Sequence, residues 1–128
     1  MDPIAGWVFG TGLMTLGMLI HYVRNQVANG NIGRNSAVGI RTRATMSSDS
    51  AWEAGHASAG PLLAATFLTA YAAGALTLAV ALAATLSGGG NPAVIAVPLT
   101  GYGAALVFLV AAAVKANAAA READRPSG

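Results

Sequence analysis

The chain has 128 residues, which is the size of a single domain. Hydrophobic residues make up 55% of it and charged residues 9%, whereas a soluble globular chain carries about 25% charged residues. Seven basic and five acidic side chains cannot cover a soluble fold, so the composition indicates a membrane protein. The net charge of +2 is too small to suggest nucleic acid as a partner. The absence of cysteine excludes disulfides, thiolate metal sites and cysteine nucleophiles.

Charge-free runs predict three transmembrane helices. The first run, Pro3 to Val23, would be roughly 31 Å long as a helix, about one hydrocarbon thickness. The second, Ala54 to Val114, is too long for one span, and the Gly-rich segment 87–92 breaks it. The predicted helices are about Ile4–Tyr22, about Pro61–Leu86 and about Pro92–Lys115. We therefore expect an all-α membrane protein, with residues 1–128 as a single three-helix transmembrane domain.

The ends of the chain give two further expectations. A secretory signal peptide would begin with a basic region, whereas this chain opens Met1-Asp2-Pro3, so the first span is expected to be retained. The C-terminal residues 121–128 mix both charges with Pro and Gly and are expected to fray.

The distribution of basic residues predicts the orientation. They follow either the first or the third predicted helix: Arg24, Arg34, Arg41 and Arg43 in the first group, and Lys115, Arg121 and Arg125 in the second. The positive-inside rule places both groups in the cytoplasm. The N-terminus and the turn at 87–92 are then outside, and the C-terminus is inside.

Residues 24–60 are expected to form a structured cytoplasmic loop between helices 1 and 2. A short helix should start near Ser48 and carry Trp52, Glu53 and His56 toward the second span, with Trp52 and His56 on one face. At that depth amphipathic aromatics anchor a helix to the membrane interface. Candidate N-caps are Ser47, Ser48 and Asp49, and Ser50-x-x-Glu53 has the spacing of a capping box.

The loop residues allow several functions. Glu53 and His56 have the spacing of two metal ligands, and His21 could add a third, but a structural hydrogen-bond pair is the commoner use of such a pair. No metal or other cofactor is expected. The serines and threonines lack a convincing Asp–His partner set, so the sequence does not predict an enzyme.

Arg41 has two candidate roles. With Arg43 it can meet the phosphates of the lipid bilayer, each contact contributing roughly 1 kcal/mol near an anionic leaflet. Alternatively it pairs with Glu53 or Asp49 and folds the loop against the helix ends, with Gly39 allowing a tight turn.

Small residues are frequent along the predicted spans. Gly6-x-x-x-Gly10 and Gly101-x-x-x-Ala105 have the spacing at which helix backbones approach closely. They indicate either close packing of the chain's own three helices or a dimer contact.

The loop contains the string Asn35-x-x-Val38-Gly39-Ile40-Arg41-Thr42-x-x-Thr45, and Trp52-x-x-x-His56 opens the hydrophobic span that follows. This pattern resembles the signature of the SdpI family, bacterial membrane proteins named for immunity to a sporulation-delaying toxin peptide. The resemblance covers roughly residues 31–86 and implies a loop between two transmembrane helices in a bacterial plasma membrane. It also implies protection against a secreted toxin peptide or, in some members, membrane sequestration of a transcriptional repressor. Longer members have further helices before this unit, and many have a basic residue where this chain has Ala57. The matching positions are Asn35, Gly39, Arg41, Thr42, Thr45, Trp52 and His56.

Two functions therefore remain open. The first is toxin immunity or membrane signalling by binding rather than catalysis. The second is an accessory subunit whose small lipid-facing residues pack against other membrane subunits. The predicted spans carry no carboxylate or lysine in mid-membrane, which argues against a stand-alone transporter.

Overall fold

The computed structural model describes residues 2–123, and within that range it contains helices and no strand. The helices are α1 (Pro3–Ala28), α2 (Asp49–Ser87) and α3 (Ala93–Ala123). Each is long and apolar enough to cross a membrane. The prediction of an all-α protein with three membrane-length helices is confirmed.

The start of α2 differs from the expectation. The predicted short helix and the second span are one continuous helix, with Pro61 inside it. Ser48 is its N-cap, because Ser48 Oγ accepts a hydrogen bond from the Ala51 N–H at 3.0 Å. Ser50 therefore lies inside the helix, and the predicted Ser50–Glu53 capping box is wrong. Proline is tolerated within transmembrane helices because neighbouring groups satisfy the backbone that it frees.

The other helix ends are also extended. Helix α1 continues six residues beyond Tyr22, to Ala28, and α3 continues beyond Lys115 to Ala123. The expected fraying of residues 121–128 is wrong for the first three of them, and residues 124–128 lie outside the described range. At the turn, Asn91 Oδ1 accepts a hydrogen bond from the Ala93 N–H at 2.9 Å, so Asn91 caps the start of α3.

The helices contribute to two compact units, and each unit contains a segment of all three. Unit 1 comprises residues 2–19 with Ala65–Val107, and unit 2 comprises Ile20–Ala64 with residues 108–123. Unit 1 packs through small residues. A Cβ added to Gly10 would lie 2.8 Å from the Leu78 side chain, and one added to Gly101 would lie 2.5 Å from Ala73 Cβ. These glycines therefore serve close packing within the chain, as one of the two interpretations of their spacing predicted.

Unit 2 has a thin apolar core built mainly from alanine. Ala59, Ala112 and Ala116 are fully buried and Leu63 nearly so. Ile40 from the loop packs against this cluster. The loop is therefore attached to the helices by apolar contact as well as by the hydrogen bonds described below.

The orientation can be tested at two exposed glycines. At both Gly33 and Gly89 an added Cβ meets no atom within 4 Å, so a cysteine there is tolerated and accessible. If the basic residues set the topology, Gly89→Cys reacts with an impermeant thiol reagent in intact cells, and Gly33→Cys reacts only after the membrane is opened. The reverse labelling pattern would contradict the predicted orientation.

Candidate functional site

The family-motif residues lie in and just after the loop between α1 and α2. Four of them form a hydrogen-bonded and packed cluster, which we call the loop cluster: Gly39, Thr45, Trp52 and His56. Thr42 joins it through Thr45. Asn35, Arg41 and Glu53 are exposed at its surface.

Thr45 holds the turn that follows the Gly-Ile-Arg-Thr segment. It is fully buried, and its hydroxyl donates to the Ile40 carbonyl at 2.7 Å while accepting the Thr42 N–H at 2.9 Å. In return, Thr42 Oγ1 accepts the Thr45 N–H at 3.1 Å. The pair satisfies backbone groups that no regular element pairs in this segment.

Trp52 and His56 stack on one face of α2, as their spacing predicted. Their ring centroids are 4.2 Å apart, and Trp52 is 3% exposed. The Trp52 indole N–H donates to the Ile32 carbonyl at 3.1 Å. Trp52 thus fixes the beginning of the loop to the first turns of α2, since Ile32 lies four residues after the end of α1.

His56 uses both ring nitrogens on backbone groups. Its Nε2 accepts the Ile40 N–H at 2.9 Å, and its Nδ1 lies 2.9 Å from the Trp52 carbonyl. A backbone N–H only donates, so Nε2 is unprotonated and the Nδ1–H donates to Trp52. The neutral imidazole with its proton on Nδ1 is the form that joins loop and helix.

Gly39 is required by both backbone conformation and space. Its φ is +115°, a conformation that other residues rarely adopt. An added Cβ would lie 2.7 Å from Trp52 Cη2 and 3.1 Å from His56 Nε2. The glycine lets the backbone approach the stacked rings closely enough for Ile40 to reach His56.

The predicted pairing of Arg41 with Glu53 or Asp49 is wrong. The Arg41 guanidinium donates to the Ser36 carbonyl and lies 3.5 Å from the Arg34 carbonyl, so it closes the loop onto its own backbone. Asp49 pairs with Arg34 instead, at 3.0 Å from its Nε. Arg34 also donates to the Met46 carbonyl just before α2, which holds its guanidinium beside Asp49. Arg41 remains exposed, and nothing in its position conflicts with contact to lipid phosphate.

The structure also places Glu53 and His56 differently from the expectation. Glu53 is exposed, and His56 bonds to backbone groups rather than to the Glu53 carboxylate, so the predicted structural pair is wrong. Within residues 2–123 no group of three or more His, Asp or Glu residues could hold a metal ion.

Two residues important for the loop cluster were missed by the sequence analysis. Arg34 was used only to predict the membrane orientation. Its pairing with Asp49 was missed because the two residues are fifteen positions apart and no local pattern connects them. Gly55 was not singled out, yet an added Cβ there would lie 2.9 Å from both the Ala116 carbonyl oxygen and Thr45 Cγ2. A glycine between Glu53 and His56 in a predicted helix was the available indication of such a close approach.

The buried hydroxyl of Thr45 gives a direct test of the turn. Thr45→Val keeps the shape but leaves the Ile40 carbonyl and the Thr42 N–H without their partner, so we expect a loss of about 1–3 kcal/mol of stability. Thr45→Ser keeps the hydroxyl and should cost less. Thermal unfolding in one mild detergent measures both. Equal melting of the two variants would contradict a role for these hydrogen bonds.

The long apolar helices and the ordered loop between the first two define a multi-pass α-helical membrane protein. A family model for the SdpI/YfhL protein family matches residues 31–116, which is more than half of the chain. The chain belongs to this family, which confirms the resemblance carried by the loop. No curated protein and no solved structure gives a significant match to the sequence.

Proposed function

We propose that this protein acts by binding, as an SdpI-type immunity or signalling protein of a bacterial plasma membrane. The observation that carries the proposal is the folded loop cluster, in which the family-motif residues tie the loop to α2 through His56 and Trp52. These bonds use backbone groups and a neutral histidine, which suits a structural and recognition role better than catalysis. The loop faces the cytoplasm, and the turn between α2 and α3 faces outward.

A groove in unit 1 is the candidate site for a toxin peptide. It has a volume of about 520 Å³ and is lined by α2 and α3 with small residues, among them Ala73 and Gly101, and with the hydroxyl-bearing Thr69 and Thr100. An apolar peptide helix can approach the small residues of this surface closely, and Leu76 and Val97 of the same lining offer it larger apolar contacts. The uncharged outer turn offers little else for a peptide to hold.

Binding in the groove would be reported to the cytoplasm through α2. This helix continues from the groove residues back to Trp52 and His56, so two packing states with different affinities for the peptide would differ at the loop. The packing state that the peptide favours would decide whether the loop binds a cytoplasmic partner, such as a repressor, or releases it.

The test is survival of a toxin-sensitive host that expresses the protein. We expect the wild type to raise survival against at least one membrane-active peptide, and Arg41→Ala and Trp52→Ala to abolish the gain while the protein still inserts. Matched controls are Arg43→Ala, another exposed loop arginine, and Trp7→Ala, a tryptophan outside the loop cluster. Both controls should retain protection.

Failure against every peptide in a panel would contradict the immunity role. Co-purification of a stoichiometric large membrane protein in mild detergent would then support the second candidate, an accessory subunit. Large hydrophobic side chains are exposed along all three helices, for example Leu19, Leu86 and Val110. In that case they would contact partner helices as well as lipid.

A further inference from the structure

A second pocket, which we call the headgroup pocket, lies within unit 2 between the end of α1 and the first turns of α2. Its volume is about 400 Å³. Arg24 of α1 and Glu53 of α2 place opposite charges on its wall, and the nearly buried Val27 and Leu63 contribute apolar surface. Among the family-motif positions only His56 lines it, so most of the pocket is separate from the loop cluster.

The two charges mark the depth of the pocket in a membrane. Arg24 is the first charged residue after the charge-free run from Pro3 to Val23, and Glu53 is the last before the run from Ala54 to Val114. In a transmembrane helix such positions lie at the level of the lipid headgroups. A ligand in this pocket would therefore be half in the interface and half in hydrocarbon.

The guanidinium of Arg24 is held at a defined place on α2. Its Nε donates to the Gly60 carbonyl at 3.3 Å. Gly60 follows Glu53 by two helical turns, a rise of roughly 10 Å. The Arg24 Nη1 also lies 3.5 Å from Asn25 Oδ1. A guanidinium has five N–H donors in a planar fork that suits phosphate oxygens, so a headgroup phosphate is the anion that fits this anchored group.

From this arrangement we propose that the pocket binds the headgroup of phosphatidylethanolamine. Along α2 the order is carboxylate at Glu53, anchored guanidinium at Gly60 and apolar surface at Leu63. The lipid has the complementary order of ammonium, phosphate and acyl chain. Phosphatidylcholine has the same charges without N–H donors, and phosphatidylglycerol has no cation for Glu53.

Native mass spectrometry of the purified full chain with equal amounts of these three lipids tests the proposal. We expect phosphatidylethanolamine to be retained about fivefold more than phosphatidylglycerol, the ratio that one headgroup charge contact supports. A similar ratio, about fivefold, is expected over phosphatidylcholine, which loses the N–H hydrogen bond to Glu53, a net contribution of about 1 kcal/mol. Glu53→Gln should remove this preference without lowering phosphatidylglycerol retention. Asp2→Asn makes the same change of charge outside the pocket and should leave the preference intact.

A second variant fills the pocket without altering its charges. A Cβ on Gly60 makes an ordinary contact with Arg24 Nε, at 3.9 Å, and meets no other atom within 4 Å. The longer side chain of Gly60→Leu should therefore occupy the pocket that Gly60 lines and exclude the lipid. Leucine also favours the helix over glycine, so folding should persist, and thermal unfolding verifies it. Gly60→Ala is the smaller comparison and should retain most binding.

Three results would overturn the proposal: equal retention of the three lipids, an unchanged preference in Glu53→Gln, or an unchanged preference in folded Gly60→Leu. Soluble phosphoethanolamine is the last arm of the experiment. If it displaces the lipid at equal concentration, the acyl chains contribute nothing and the ligand is a soluble compound rather than a lipid. If it does not, the lipid assignment stands.

Discussion

Trp52→Ala is expected to release the loop from α2 and to cost about 3–5 kcal/mol, the range for truncating a buried aromatic side chain. Trp52 is 3% exposed, stacks on His56 and bonds to the Ile32 carbonyl, so its loss removes packing on both sides of the loop. The loop contains Arg34, Arg41 and Arg43, which makes trypsin cleavage a local measurement of opening. We expect cleavage there to be about a hundredfold to a few thousandfold faster, the factor by which a loss of about 3–5 kcal/mol enlarges the open population.

Two controls separate the contributions of Trp52. Trp52→Phe keeps an aromatic ring but loses the indole N–H, and should show an intermediate cleavage rate. Trp7→Ala removes a tryptophan that is 38% exposed and bonds to Thr85 Oγ1, so it should leave loop cleavage unchanged. If trypsin cleaved the loop of Trp52→Ala at the same rate as that of the wild type, the structure of the loop cluster would be contradicted.

Gly39→Ala should disrupt the same loop without removing any side chain. The backbone at φ +115° costs about 1–3 kcal/mol for a residue other than glycine, and the new Cβ also collides with Trp52. The ring must shift, and with it the bond from Ile40 to His56. We therefore expect a loss of stability greater than strain alone would give, measured by thermal unfolding and loop cleavage.

The chain offers a matched control in Gly30. This glycine lies in the same loop at φ +80°, and an added Cβ there meets no atom within 4 Å. Gly30→Ala therefore shows the effect of backbone strain without the collision, and should cost about 1 kcal/mol. If the two alanine variants were equally stable, the close approach of Gly39 to Trp52 would be refuted.

Much of the fold could be predicted because it depends on properties local to the chain. Charge-free runs marked all three helices, and Ser48 was among the predicted N-caps of α2. The helix ends were less accurate, since Pro61 looks like a first-turn proline in the sequence although the helix runs through it. Helix α1 continues past Arg24 through the polar Asn25 and Gln26, because a charge-free run marks the membrane span and not the end of the helix.

The candidate site was predictable in its members but not in its bonds. The prediction that Trp52 and His56 share one face of α2 follows from helical spacing, and the contact between their rings confirms it. Arg34 and His56 bond to backbone groups or to side chains distant in the sequence. Every residue has the same backbone groups, so the sequence does not indicate which of them a side chain will bind. Arginine pairs therefore could not be assigned from charge alone, which is why both Glu53 and Asp49 were candidate partners of Arg41.

The contact of Gly55 with Ala116 has a consequence for how the protein is made. The loop and α2 leave the ribosome well before the end of α3, yet a Cβ on Gly55 would lie 2.9 Å from the Ala116 carbonyl oxygen, and the alanines of α3 form part of the core beneath Ile40. During synthesis the loop therefore cannot complete its packing until α3 is made, and α3 is separated from the loop by the whole of α2 and the turn that follows it. Its final packing is a late event of biogenesis, and an insertion machinery that released the first two spans early would release them with an unfinished loop.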